Sequence, residues 1–454
     1  MTQDIDFIRQ LNASGQFEEA QDLARAAMRQ HPVSSGFAYE YTFAAARRLL
    51  FDEAVEGALH ILNSDNLTPD VIAVTNRLLC ISLHALGAAD LARPYIDKPR
   101  YHTSMFASDR CWTGRLLMEI GATEEALAVY NEVLEAFPGD TFALHCRGNA
   151  RLSLGDSAGF IEAAEFSARE FWKHYYPGTS YLEKMWEGED VSGRSFTVMQ
   201  HGGFGDYFQF SRFIPALRAA GASEITAVAN VRMEQLLLSA GFDRVLPISE
   251  LERLKAETDY WCGTFGLERA RLLGAPQGAA RAYLTAPYSA KADVQLQKIE
   301  TRAAGKPCVG IYWHSDADGG EGKSLSLVDV LPLLQDTSVH WVIFQRGYGL
   351  RRFELANLDS SYTIVDEDLT FDETGAVMTR LSGMVSICAW TLHLAAALGV
   401  RTWLLGGNVL SSRHENRERE SVLYPGIVTI NRQSKTGSWA EAVAKTRTEI
   451  LSTV

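Results

Sequence analysis

Three glycines and a carboxylate fall within five positions at Gly202, Gly203, Gly205 and Asp206, opening the segment HGGFGDYFQFSRFIPALRAAG at 201–221. Glycine lets the backbone adopt conformations and approaches that a side chain forbids. A carboxylate at a helix start has two uses. It can cap free backbone N–H groups, or, exposed at a cleft, act as a general base toward an acceptor hydroxyl. The segment is neither a dinucleotide fingerprint nor a P-loop, and the charge of Asp206 disfavours a phosphate at that helix end.

A second segment, YWHSDADGGEGKSLSLVDVLPLLQD at 312–336, runs from a strand end through a polar glycine-rich loop into a helix. Lys323 and Ser324 near the helix start can hold a diphosphate through an ammonium, a hydroxyl and free N–H groups; the bland alternative is a solvated lysine in a loop. Trp313 at this strand end and Gln345 at the next are further candidates to line the same edge. In the third segment, at 382–406, a strand enters a helix whose opening turns hold Cys388, Ala389, Trp390, Thr391 and His393. That helix start is an anion site in principle. His393 reads as a packed or capping group rather than a catalyst, and Cys388, with no His/Asn partner pattern, as a small buried thiol. The fourth segment, RHENRERESVLYPGIVTINRQ at 413–433, is a charge-mixed loop before a last strand, either a solvated face or a cover for a nucleotide.

These segments need a scaffold, and the hydrophobic pattern supplies one. Apolar or β-branched runs at 196–200, 224–230, 244–249, 260–265, 308–314, 340–346, 362–368, 384–387 and 401–406 alternate with helical stretches. That grammar predicts parallel, doubly wound sheets in two Rossmann-like halves split near residue 305, with ligands outside the carboxyl ends of the strands.

Residues 1–170 follow another grammar. GQFEEAQDLARAAMRQHP from Gly15 and GATEEALAVYNEVLEAFP from Gly121 superpose without a gap, and helix-linking turns at Gly15, Leu49, Gly87, Gly121 and Gly155 give steps of 34, 38, 34 and 34 residues. This is the tetratricopeptide period. Small Ala20, Ala54, Ala92 and Ala126 let helices approach closely, and Pro32 and Pro138 stop the second helix of a pair. Each pair leaves an apolar face that must stack on the next. The groove of such an array suits a peptide or protein partner, though it serves equally as a packing surface. Residues 171–194 then read as a linker, 195–304 as the first α/β half and 305–454 as the second.

Among 454 residues, 56 acidic against 43 basic side chains leave a net charge of −13, which argues against nucleic acid as the main partner. The six cysteines are scattered singly, without metal-ligand spacing. No signal peptide or membrane-spanning run is legible, so a cytoplasmic location is expected.

Together the GD turn at Gly205 and Asp206, the YWH…KS strand-loop and HLAAALG at 393–399 resemble glycosyltransferase family 9, the heptosyltransferase-like group, over about residues 195–450. The resemblance implies a GT-B fold and an enzyme with Asp206 as catalytic base and Gly202, Gly203 and Gly205 in the acceptor-side loop. Lys323, Ser324, Trp313, Gln345, Cys388, Ala389, Trp390, Thr391 and His393 fall on the donor side. It implies a nucleotide-sugar donor, no cofactor and no metal. Two departures stand out: Cys388 and Ala389 replace the family's Asp-Thr, and SSRHENRERES replaces a tryptophan-rich stretch. Similar bacterial repeat-plus-transferase chains modify flagellin, so the expected partner is a protein acceptor recruited by the repeats, with flagellin the candidate. A noncatalytic adaptor with a degenerate transferase fold, and transfer to a glycan or lipid, are the alternatives.

Overall fold

The computed structural model describes residues 2–32, 34–64, 67–86, 88–96, 107–163, 184–315, 323–358, 361–415, 417–434 and 437–453, in two compact units, Met1–Ala150 and Arg151–Val454. The expected turn at Gly87, residues 171–183 of the linker and residues 316–322 of the glycine-rich loop lie outside the described residues.

The first unit is a tetratricopeptide-type array: α1 (Thr2–Ala13), α2 (Phe17–Gln30), α3 (Ser35–Arg47), α4 (Phe51–Leu62), α5 (Pro69–Ala85), the short α6 (Arg93–Ile96), α7 (Ala107–Glu119), α8 (Thr123–Ala136) and α9 (Thr141–Ser153). The four described turns are all left-handed, with φ of 80° at Gly15, 63° at Leu49, 83° at Gly121 and 82° at Gly155. Leu49 therefore holds, with a Cβ, a conformation that glycine adopts freely. Ala20, Ala54, Ala92 and Ala126 are completely buried, as close helix packing requires, and α2 and α8 end just before Pro32 and Pro138. Charges are paired between successive pairs of helices. Arg25 lies 2.7 Å from the Glu53 carboxylate, which also accepts from Tyr41 Oη at 2.7 Å and Gln21 Nε2 at 2.7 Å; Arg93 and Glu125 make a similar rung at 2.9 Å.

The second unit carries two parallel sheets. The first, in order β3-β2-β1-β4, contains β1 (Ser195–Met199), β2 (Glu224–Val228), β3 (Arg244–Leu246) and β4 (Tyr260–Gly263). The second, in order β10-β9-β8-β5-β6-β7, contains β5 (Cys308–Tyr312), β6 (His340–Ile343), β7 (Tyr362–Ile364), β8 (Gly383–Ser386), β9 (Thr402–Gly406) and β10 (Val428–Arg432). Each sheet is Rossmann-like: the chain winds outward on one side, then returns to the middle and winds the other way. The reversal leaves a crevice between β1 and β4 in one sheet and between β5 and β8 in the other. Helices α10 (Phe204–Phe210), α11 (Ile214–Ala219), α12 (Glu234–Ser239) and α13 (Leu251–Glu257) accompany the first sheet. With the second go α14 (Ala290–Ala303), α15 (Leu327–Leu334), α16 (Gly347–Ala356), α17 (Phe371–Met378), α18 (Trp390–Ala397) and α19 (Ala440–Thr453). The linker's described end already belongs to the sheet, since Met185 bridges Trp261. Helix α14 packs on β7 and α17, so the second half begins with this helix. Among the described residues, no helix is long and apolar enough to cross a membrane.

Candidate functional site

Both crevices deliver their loops to one place. At the first, Thr264 ties the strand ends together by donating to Met199 O at 3.1 Å and accepting the His201 N–H at 3.0 Å. The chain then turns through Gly202, at φ 86°, into α10. Gly203 is the N-cap of α10 and Asp206 its third residue; the carboxylate reaches back to accept the Gly203 N–H at 2.8 Å. Asp206 thus is not itself the N-cap, the bland reading of its position, but holds the N-cap residue, because the glycine there has no side chain to do so.

Gly205 is one of the points where the halves touch. A Cβ there would stand 3.0 Å from Trp390 Cα and 3.1 Å from His393 Cδ2, so with any side chain at this position α10 and the start of α18 would have to part by a few tenths of an ångström. Phe371 fills the neighbouring gap, its ring 4.6 Å from Phe204 and 5.3 Å from Trp390. Farther out, the Asp372 carboxylate accepts the N–H groups of Gln235 and Leu236 at 3.1 and 2.9 Å, and Arg232 donates to Leu369 O at 2.8 Å.

At the second crevice, the loop after β5 is pinched where Leu325 N–H meets Trp313 O at 2.8 Å, placing Lys323 and Ser324 at its mouth. Ser324 Oγ accepts the Ser315 N–H at 3.0 Å. Opposite, α18 begins after Ala389, an N-cap with no side-chain acceptor. With Cys388 and Ala389 at this position, the helix start has no side-chain cap.

The named residues divide by what their side chains do. Asp206, Lys323, Ser324, Cys388, Ala389 and Trp390 keep partial exposure, and Gly202 and Gly203 are exposed. Trp313, Gln345, Thr391 and His393 are buried and engaged within the protein. The Trp313 ring packs on Phe353 at 5.8 Å. Gln345 Oε1 accepts the N–H groups of Trp313 and His314, and its Nε2 donates to His314 O and Arg346 O, which braces the loop after β5. Thr391 Oγ1 lies 2.7 Å from Ser386 Oγ. His393 Nδ1 is 2.8 Å from Tyr424 Oη, and its Nε2 is 3.9 Å from Cys388 Sγ.

Electrostatics ties the exposed set together. Burial pushes the Asp206 carboxyl above the usual aspartate range, against the downward pull of Arg413, the Gly203 N–H and Lys323. Burial also raises the Cys388 thiol, with Asp206 adding to the rise while Lys323 and Arg413 oppose it, so the thiol stays protonated at neutral pH. His393 is driven well below the histidine range by burial, helped by His414 and the nearby cations. His414 is driven to about 4 by burial, with Arg212 and Arg413 adding to the fall. Both imidazoles are neutral at pH 7.

Two arginines here carried no motif. Arg212, 9% exposed, donates to Gln209 O and Gln277 O, while its buried Nη2 has no partner among the described residues. Arg413 lies in the charge-mixed loop with its side chain only 15% exposed, whereas Arg417 and Arg419 nearby are 56% and 51% exposed. The sequence offers no cue to this difference, since all three stand in one polar run.

No family model and no curated protein matches the sequence. Among solved structures, a family 9 glycosyltransferase from Veillonella parvula is similar at 11% identity over 59% of this chain and 97% of that one, with a TM-score of 0.42. The tetratricopeptide protein YrrB, described as having an unusual peptide-binding site, is similar at 20% identity over 35% of this chain and 82% of its own, with a TM-score of 0.31. An O-GlcNAc transferase mutant from Thermobaculum terrenum is 12% identical over 98% of this chain and 89% of that one, with a TM-score of 0.32.

Proposed function

We propose that this chain is a glycosyltransferase that moves a sugar from a nucleotide-sugar donor to a hydroxyl of a protein acceptor. One observation carries the reading: a carboxylate of raised proton affinity from the first crevice and a lysine from the second lie within electrostatic reach of each other. A carboxyl with raised pKa is a better proton acceptor than an ordinary aspartate.

In an inverting transfer the acceptor oxygen forms a bond to the anomeric carbon as the bond from that carbon to the phosphate oxygen breaks. Asp206 takes the hydroxyl proton, and the bonding electrons leave with the nucleotide phosphate. Lys323, the Ser324 hydroxyl and the uncapped start of α18 receive that negative charge, so no divalent cation is assigned a role. The helical repeats recruit the acceptor, with flagellin the first to try.

The test uses the full-length protein. Thermal shift against UDP, GDP, ADP and CMP and their sugar conjugates identifies the donor class, because a ligand of the folded state stabilises it by mass action. Asp206→Asn should bind that donor normally and transfer about 10² to 10⁴ times more slowly. Wild-type turnover in this variant removes Asp206 from the mechanism. A wild-type protein that binds donors but transfers to no acceptor leaves the adaptor reading. Deleting residues 1–150 should abolish acceptor capture with nucleotide binding retained; equal capture rejects recruitment by the repeats.

A further inference from the structure

We propose that Arg413, on the loop after β9, is the second cation of the donor site and binds the nucleotide phosphates together with Lys323. This deepens the transferase reading and rests on it.

Arg413 crosses from the second half to the first. Its guanidinium carbon lies 5.0 Å above the Phe210 ring and 4.8 Å above the Phe265 ring. Phe265 in turn stands where a Cβ of Gly202 would meet it at 2.9 Å, with the Asp206 carboxylate beside it. The aromatic faces fix the planar group at the wall of the site without using its N–H donors. Those donors are not used elsewhere. Among the described residues Arg413 makes no hydrogen bond; its Nε is buried and unpartnered, and the one carboxylate oxygen in ion-pair range, Glu268 Oε2, is 3.6 Å away. Glu268 is also shared with Arg271 at 3.5 Å, so one negative charge serves two guanidinium groups.

A mostly buried guanidinium with no carboxylate at hydrogen-bonding distance and unfilled donors costs free energy in the empty protein. A phosphate supplies what is missing: charge, and oxygens that match the planar fork. Arg413 also acts on Asp206, Cys388 and His393, the groups that Lys323 reaches, which places both cations around one space. Serving only as a structural partner of Glu268 would call for hydrogen-bonded contact, and the 3.6 Å separation does not provide it.

The experiment is calorimetry on the full-length protein with UDP, GDP, ADP and CMP, then with the tightest of these and its phosphate-free nucleoside on variants. Arg413→Gln should weaken the nucleotide by about tenfold or more, in the range of a charge-assisted hydrogen bond, and leave nucleoside binding unchanged. Arg413→Lys should recover part of the loss. Should Arg413→Gln fail to fold, Glu268→Gln tests the same idea from the other side: releasing Arg413 from its shared carboxylate should tighten the nucleotide severalfold. Equal nucleotide affinity in Arg413→Gln, equal loss of nucleoside binding, or no change in Glu268→Gln overturns the assignment while the transferase reading stands. A wild-type protein that binds none of the four nucleotides overturns both.

Discussion

The helical array and the crevice between the α/β halves treat the same residue types in opposite ways. In the array, Arg25, Tyr41 and Gln21 surround Glu53 at hydrogen-bonding distance, and the carboxyl is held below its usual range, first by the Tyr41 hydroxyl and then by Arg25. In the crevice, among the described residues, Asp206 has one backbone N–H for a partner, Arg413 makes no hydrogen bond and meets its carboxylate only at 3.6 Å, and burial drives the Asp206 carboxyl up. Charges neutralised on the spot hold a structure together. Charges gathered in a crevice and left short of partners are available to a ligand, and the fold bears the cost while the site is empty.

The largest expected effect that separates the two is the loss of turnover in Asp206→Asn described above, set against Glu53→Gln, which should leave donor binding and turnover unchanged. Next, Lys323→Ala should weaken nucleotide binding by about 1.5 to 3 kcal/mol in calorimetry. It should also move the acid limb of the pH–rate profile upward, because Lys323 is one of the groups pulling the Asp206 carboxyl down. An unmoved limb would mean that the acid limb belongs to another group.

Gly205→Ala comes third. Its methyl meets the backbone of Trp390, which cannot swing aside as a side-chain end can, so a cost of about 1 to 3 kcal/mol is expected in denaturant unfolding. A neutral result would show that the two halves move apart easily.

The smallest effects carry opposite signs with pH. Glu53 has a lowered folded-state pKa, so its contribution to stability is present above the unfolded value and disappears as pH falls through the folded one. Glu53→Gln should therefore lower the melting temperature at neutral pH, by the equivalent of about 0.2 to 1 kcal/mol for a half-exposed pair, and the loss should fade toward acid. Asp206 has a raised folded-state pKa, so the stability tied to its protonated form is present at low pH and lost as pH rises through the folded value. Asp206→Asn should then melt no lower than wild type at neutral pH, with any gain fading toward acid. Two curves of the same sign would erase the contrast.

Much of the scaffold was legible because it follows from local pattern. Nine of the ten described strands fall within or beside the apolar runs, since a strand buried on both faces must be apolar along its length, and β10 is the last strand read after the charge-mixed loop. The repeat turns at Gly15, Gly121 and Gly155 were readable from glycine, whereas Leu49 was readable only from the spacing, because leucine does not announce a left-handed turn. At the site, the sequence indicated which loops leave the strand ends, and Asp206, Lys323 and the start of α18 lie there. It did not distinguish side chains that face the crevice from those that brace it. Trp313 and Gln345 at strand ends and Thr391 and His393 in the opening turns of α18 are buried instead, because whether a polar group there points to solvent or to a neighbouring element depends on what that element offers it.

By itself, then, the amino-acid sequence determined the repeat period, the alternation of strands and helices and the loops that carry polar chemistry, all properties of residues close along the chain. The tertiary structure alone decided that Asp206 and Lys323, more than a hundred residues apart in sequence, act on each other. It also decided that Arg413 leaves its charged run to lie over Phe210 and Phe265, and that Gly205 sits against Trp390. Electrostatic shifts and close approaches depend on distance and burial, which arise only when the two α/β halves come together.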